Sequence, residues 1–420
     1  MTKLHYNYKD IFRALRVGFS AKKVWMMFIG TFVGFAGYSV LTYLAYIVSG
    51  NDFITVWENF RLLPFPEPEI WPFPWYSWII YGLGAVWFVV CCLVAGTAVS
   101  KVAYEQLRGD EFYESREAYK FAFRNLSAVL ASPLLLLAFV AVVVIGGLIL
   151  SLLGAIPFFG EMFVGLLALP AFAAGMFIVY LLVVLLFCLL LAPGVVGSTR
   201  NDTFDTLFEV FSCVNEQPGR SIWYLATAGG LAKFGAFLLA LASGAAGRIS
   251  YLVLRIFTGP KLADVMANAG FYFKVNTPEW CPGAIRDAVI WFFDRLGLPQ
   301  AYMPTEYIAL GWSVDVASVL IAVAIYVVAL MVVSYCLSIW YSGTVLSYAV
   351  LAKKKDDKNI LELPDDDEDL IEPVVPKPDY LKTGEVPTFE DKPTAKAETA
   401  PVGKPAEDKE PPKEPEPEKR

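Results

Sequence analysis

Along the chain, apolar runs longer than a soluble core requires alternate with short stretches that interleave aromatic and charged residues. The longest run lies between Arg124 and Arg200, where Glu161 is the one charged side chain. A bilayer crossing takes about 20 apolar residues, so this run predicts two crossings, 129–153 and 162–191. They are joined at Gly154-Ala-Ile-Pro157-Phe-Phe-Gly160, a turn-forming stretch with Glu161 just beyond it. The second crossing is long for one perpendicular helix at about 1.5 Å per residue. Pro170 there predicts one tilted, kinked span; the alternative is a re-entrant piece followed by a span.

The same pattern places four further crossings at 24–48, 78–100, 221–243 and 316–341. The first carries Gly30-x-x-x-Gly34 and then Gly37, a narrow stripe that lets another helix approach closely. Cys92, Gly96 and Ser100 lie on one face of the second, and Ala236, Ala240 and Gly244 on one face of the fifth. Apolar residues at helical spacing in the polar stretches predict short amphipathic helices. They are Ile11, Phe12, Leu15 and Phe19 within 1–23, the aromatics Phe112 to Phe123 within 101–124, and Phe204, Leu207, Phe208 and Phe211 within 198–220. The first, edged by Lys9, Arg13, Arg16, Lys22 and Lys23, suits an anionic membrane surface; a plain fringe of orienting charge is the alternative.

Residues 50–75 alternate Pro64, Pro66, Pro68, Pro72 and Pro74 with Phe65, Trp71, Phe73 and Trp75. Proline opposes a regular helix there and the tryptophans suit a membrane boundary, with PxxP-type recognition as the other use of such a stretch. Residues 246–311 form the largest polar insertion, with an amphipathic helix expected at 285–296. From Asp356 onward Pro, Glu, Asp and Lys dominate; residues 356–420 are expected to be disordered, cytoplasmic and dispensable for folding.

The predicted fold class is therefore all-α. It is a polytopic helical membrane protein of about six transmembrane helices, arranged as three hairpins each preceded by a cytoplasmic amphipathic helix, with a disordered C-terminal tail. Its parts are a basic segment 1–23, a transmembrane domain 24–352 with an external insertion 246–311, and the tail 356–420. Continuous rather than alternating apolar runs argue against a β-barrel. The chain is 56% hydrophobic with mean hydropathy +0.52, which excludes a wholly disordered chain and an ordinary soluble domain.

Charge then sets the orientation. Short loops rich in Lys and Arg stay cytoplasmic. The N-terminus, the 101–124 stretch and Lys353 to Lys358 are basic, whereas 50–75 carries Arg61 alone and 154–161 no base. Both termini are thus expected inside a cell membrane, a bacterial inner membrane, with no signal-peptide cleavage. A threefold internal repeat accompanies this, over 5–100, 111–197 and 203–350. Its hairpin ends echo one another as Gly96-Thr97-x-x-Ser100, Gly194-Val195-x-x-Ser198 and Gly343-Thr344-x-x-Ser347.

Asp205-Thr-Leu-Phe208, followed by Pro218 and Trp223-Tyr224, and the run from Tyr348 into the basic and acidic Asp357 region resemble a loose group of uncharacterised bacterial polytopic inner-membrane proteins. The resemblance covers the last half of the chain and implies no activity.

Candidate chemistry is sparse. His5 is the single histidine, no CxxC pair occurs among six cysteines, and no HExxH, P-loop, GxGxxG or GxSxG motif is present. No enzyme, cofactor, metal or nucleic-acid partner is expected. The candidate functional residues are Lys233, deep in the fifth crossing, with Glu161 and Asp315 at the outer ends of others. A lysine at that depth costs about 2.5–3.5 kcal/mol on insertion scales, so either a functional cavity facing it or snorkelling must explain it. The expected function is a non-enzymatic scaffold or assembly factor that holds protein partners through the cytoplasmic helices and tail. A permease or channel near Lys233 is the alternative.

Overall fold

The computed structural model describes residues 4–61, 63–68, 70–272, 287, 291, 311–357 and 359–362, and every regular element among them is helical. In chain order these are α1 (Tyr8–Ile11), α2 (Ala14–Gly18), α3 (Ala21–Val48), α4 (Phe53–Phe60), α5 (Trp75–Arg108), α6 (Ser115–Arg124), α7 (Leu126–Gly154), α8 (Phe159–Thr199), α9 (Thr203–Glu216), α10 (Pro218–Thr258), α11 (Pro260–Tyr272) and α12 (Trp312–Asp356). A 3₁₀ turn follows at Ile360–Glu362.

Local chemistry explains several boundaries. Asp52 starts α4 by accepting the Thr55 backbone N–H at 3.1 Å, and Asp202 starts α9 by accepting that of Asp205 at 2.9 Å. Pro218 opens α10 at a position where its missing N–H costs nothing. Gly109 ends α5 in the left-handed conformation, with φ 113°, so that its N–H and that of Asp110 both reach the Glu105 carbonyl at 3.0 Å. Pro133 lies inside α7, and Pro170 and Pro193 inside α8, without ending either helix.

Among the described residues six helices are long and apolar enough to cross a membrane; α6 runs on into α7 as one of them. Their outer faces carry Leu152, Leu166, Leu169 and Phe172, all well exposed. Continuous apolar surface of this extent requires an apolar surrounding. Helix α3 packs along α5, α7 along α8, and α10 along α12. Helices α5, α8 and α12 also pack on one another, while α6 lies on α5, α9 on α7 and α8, and α1 and α2 on α12. The largest buried cluster joins Ile11, Tyr104, Leu191, Val210, Ala228 and Tyr348 from six of these helices.

The helices overrun the spans read from hydropathy. Helix α5 has 34 residues and continues from Ser100 to Arg108. That is about 50 Å of helix against a hydrocarbon core of about 30 Å. Its polar last turns are nevertheless buried against protein, including Lys101 and Glu105. Hydropathy marks where lipid ends and not where packing ends. The same applies to α10, which runs past Ser243 to Thr258, and to residues 260–272, which form α11 inside the expected polar insertion. The amphipathic helix expected at 285–296 lies outside the described residues save Asp287 and Trp291. Residues 162–191 belong to one unbroken helix, without a re-entrant piece.

The Pro-rich stretch folds back on α3. Tyr38 donates to the Pro64 carbonyl at 2.9 Å and Tyr46 to that of Phe65 at 2.7 Å, burying Phe60 and Phe65 against Tyr43 and Tyr46. An unexpected helix of about two turns, α4, precedes the prolines. The boundary drawn at Asp356 is also too early: Ile360 and Leu361 are buried in the main core, so the first residues assigned to the tail belong to the packed body. Residues from 363 onward lie outside the described region.

Candidate functional site

Lys233 lines neither of two cavities found among the described residues. It is exposed on an α10 that is unbroken from Pro218 to Thr258. The packed face of α10 is Leu225, Ala228, Ala232, Gly235 and Ala240, with Gly235 set against Ile339. The small-residue stripe read around Lys233 is real, but one position separates Ala232 from Lys233, and one position is about 100° around a helix. The lysine is therefore set off the packed face, where its long apolar stem can carry the ammonium toward polar surroundings. Glu161 is exposed in the first turn of α8, and Asp315 lies in the first turn of α12. Both are where the partial positive charge of a helix N-terminus stabilises a carboxylate, in keeping with boundary roles. The three candidates sit on three different helices, and no shared site joins Glu161 to Lys233.

The polar chemistry concentrates elsewhere, at the ends of α5, α8 and α12. The three echoed segments, Gly96 to Ser100, Gly194 to Ser198 and Gly343 to Ser347, are buried throughout and meet there. A Cβ built on Gly197 would fall 2.7 Å from Ser100 Cβ, one on Gly194 would fall 2.8 Å from Thr344 Oγ1, and Gly96 lies against the Tyr341 ring. Glycine permits these crossings because nothing projects from its Cα.

Beyond the crossing on α5, Lys101 Nζ and Glu105 Oε1 pair at 2.6 Å with both side chains 8% exposed. The ammonium also sits 5.2 Å from the Tyr104 ring centre and 5.0 Å from that of Phe121. Arg108 approaches the other Glu105 oxygen at 3.7 Å, and Arg200, ending α8, covers Phe121 at 5.6 Å. Lys23 donates to Gln106 Oε1 at 2.6 Å, Lys22 donates to the Tyr113 carbonyl, and Tyr119 donates to the Met26 carbonyl at 2.6 Å. These bonds tie α3 and the α5–α6 connection into one layer.

Glu209 of α9 accepts from Tyr348 at 2.9 Å and from Lys355 at 2.5 Å, both on α12. The chain after α12 is held in the same layer. Ile360 is fully buried, its carbonyl accepts from Tyr104 at 2.7 Å, and Tyr6 donates to Asn359 Oδ1. Burial, followed by the Glu362 charge, pushes the Tyr6 hydroxyl above its ordinary pKa, which keeps it protonated and able to donate. The result is a polar platform with a socket for residues 359–362.

The buried carboxylates Glu105 and Asp10 already face Lys101 and Arg13, and the half-buried Glu209 faces Lys355. No group of three or more His, Cys, Asp or Glu able to hold a metal occurs among the described residues. The arrangement is suited to holding chain segments in place. Of its residues, the Lys101–Glu105 pair carried a signal in the sequence, since opposite charges four apart on a helix meet on one face. Tyr6, Tyr104, Glu209 and Tyr348 carried none. Comparison of the chain with protein-family models, curated proteins and solved structures finds no match.

Proposed function

We propose that the protein is a multi-pass membrane scaffold whose platform holds the root of an acidic C-terminal segment as a fixed attachment point for protein partners. The observation that carries this reading is the socket: Ile360 and Leu361 are buried in the main core and clamped by Tyr104 and Tyr6. A segment anchored at its root offers its remaining residues to a partner from one defined position.

The helix packing supports a three-unit architecture for this platform. Each unit pairs two long helices, α3 with α5, α7 with α8, and α10 with α12. Each begins with short helices, α1–α2, α6 and α9, that pack on the last long helix of the unit before; for the first unit that is α12, which closes the ring. The short helices α6 and α9 present Phe123, Phe204 and Phe208 outward, and the turn between α1 and α2 presents Phe12, as segments lying at a membrane surface do. Basic residues concentrate at this end, which supports a cytoplasmic platform with both termini inside. Interlocked glycines where α5, α8 and α12 cross leave the end of the bundle packed, which favours a scaffold over a conduit.

The test is affinity purification of the full chain and of a truncation after residue 363 from native membranes. The expected result is a partner in fixed stoichiometry with the full chain and its loss on truncation. A partner retained by the truncated protein, or solute flux through proteoliposomes containing the full chain, overturns the scaffold reading.

A further inference from the structure

We infer that the groove between α3, α4 and α12 is a binding site for an anionic phospholipid, with an acyl chain laid along α3 and the phosphate held by Arg61. The groove encloses about 630 Å³ and is lined by Phe35, Val40, Tyr43, Trp57 and Val327 among other apolar residues. That volume falls within the roughly 300–1,000 Å³ of small-ligand sites. Its lining runs from Phe32 to Ile47 along α3, about 22 Å at 1.5 Å per residue, long enough to lay out an acyl chain.

Arg61 is the one charged residue in the lining, and it is only 8% exposed. Its guanidinium stacks 4.7 Å from the Phe271 ring centre, its Nε is buried without a hydrogen-bond partner, and no carboxylate among the described residues pairs with it. The Ser39 hydroxyl, also in the lining, is buried and without a partner. Arg61 is further held with φ 48°, a left-handed conformation that side chains rarely adopt, and its carbonyl accepts from Tyr43. Strain of this kind persists where the surrounding structure fixes a residue for a purpose. A buried guanidinium without a counter-charge is costly, and a phosphate oxygen matches its donors in both charge and geometry.

The chemistry selects the occupant. Val40, Ile47 and Val323 on the groove's rim are well exposed, so the groove opens sideways onto the apolar surroundings that the membrane reading supplies. A lipid enters by that route and a soluble anion does not. Among the described residues no acidic side chain lines the groove to receive a choline or ethanolamine ammonium, which favours a headgroup whose net charge is negative. Arg61 follows α4, at the end of α3 away from Lys22 and Lys23, so this site and the platform are separate. The proposal shares only the membrane reading with the scaffold proposal, and a retained or lost protein partner says nothing about it.

The experiment is native mass spectrometry of the full chain in detergent, titrated with phosphatidylglycerol, phosphatidylcholine or oleate. Phosphatidylglycerol is expected to be retained at about tenfold lower concentration than either of the others, the equivalent of about 1.4 kcal/mol. Arg61→Gln is expected to abolish that preference and Arg61→Lys to keep it. Val327→Trp fills the groove away from Arg61 and is expected to abolish retention in a protein that keeps its helical circular dichroism. Equal retention of phosphatidylglycerol and phosphatidylcholine, stronger retention of oleate, or an unchanged Arg61→Gln overturns the proposal. Should Arg61→Gln not fold, undiminished phosphatidylglycerol retention by folded Val327→Trp overturns it instead.

Discussion

At the scale of single residues, the two lysines of interest exchange places. Lys233 stands in a long apolar run and so drew attention, yet it is exposed on α10; Lys101 stands at the edge of a run and looks like a boundary charge, yet it is buried. Hydropathy reports the neighbours of a residue in sequence, whereas burial depends on which way its helix faces, and an error of one position turns a side chain by about 100°. The consequences are testable by thermal unfolding in detergent. Removing Lys101 leaves the buried Glu105 carboxylate with the longer Arg108 contact alone, so Lys101→Met is expected to be destabilising, by at most the roughly 3–5 kcal/mol of a fully orphaned buried charge. The double change Lys101→Met with Glu105→Leu removes both charges and should recover much of that loss. Lys233→Met, on an exposed face, should move stability by no more than about 0.5 kcal/mol. A large loss in Lys233→Met with little in Lys101→Met would reverse the assignment of these two residues.

At the scale of elements, the six long apolar helices were legible because an apolar run is a local signal, whereas α4 and α11 were not. Of the residues read as apolar faces of short helices, Ile11 and Leu207 are buried, whereas Phe12, Phe112, Phe123, Phe204 and Phe208 are exposed. Where the helices cross was partly legible too. The echoed Gly96, Gly194 and Gly343 segments are the places of closest approach among α5, α8 and α12, although the sequence did not say that they meet. The crossings give the next prediction. A side chain at Gly194 or Gly197 collides with Thr344 or with Ser100, on another helix, so Gly197→Leu is expected to lower stability by about 1–3 kcal/mol through overpacking, or by more. Gly146 supplies the contrast, since a Cβ there meets nothing within 4 Å. Replacing it with Ala in the middle of α7 should be neutral or should stabilise by about 0.5–1 kcal/mol. If both substitutions behave alike, the crossings are looser than the structure shows.

At the scale of the whole molecule, the platform depends on contacts that no local pattern encodes. Tyr6 meets Asn359 across 353 positions, Tyr104 meets Ile360 across 256, and Glu209 meets Lys355 across 146. Composition changes at Asp356, so a reading by composition cuts the chain there, and Ile360 and Leu361 look like stray apolar residues in a polar tail. In the fold they close the main core. Two truncations that differ by a few residues should therefore behave differently. Ending the chain after residue 363 keeps the socket filled and should leave the melting temperature in detergent unchanged. Ending it after Asp357 removes two buried aliphatic side chains, each worth about 1.5–3 kcal/mol of burial, and leaves the Tyr104 hydroxyl without the Ile360 carbonyl. That truncation should lose several degrees, and Ile360→Asp in the full chain should lose as much. If the shorter chain melts with the longer one, residues 359–362 only rest on the platform, and the fixed attachment point at the centre of the scaffold proposal is lost with them.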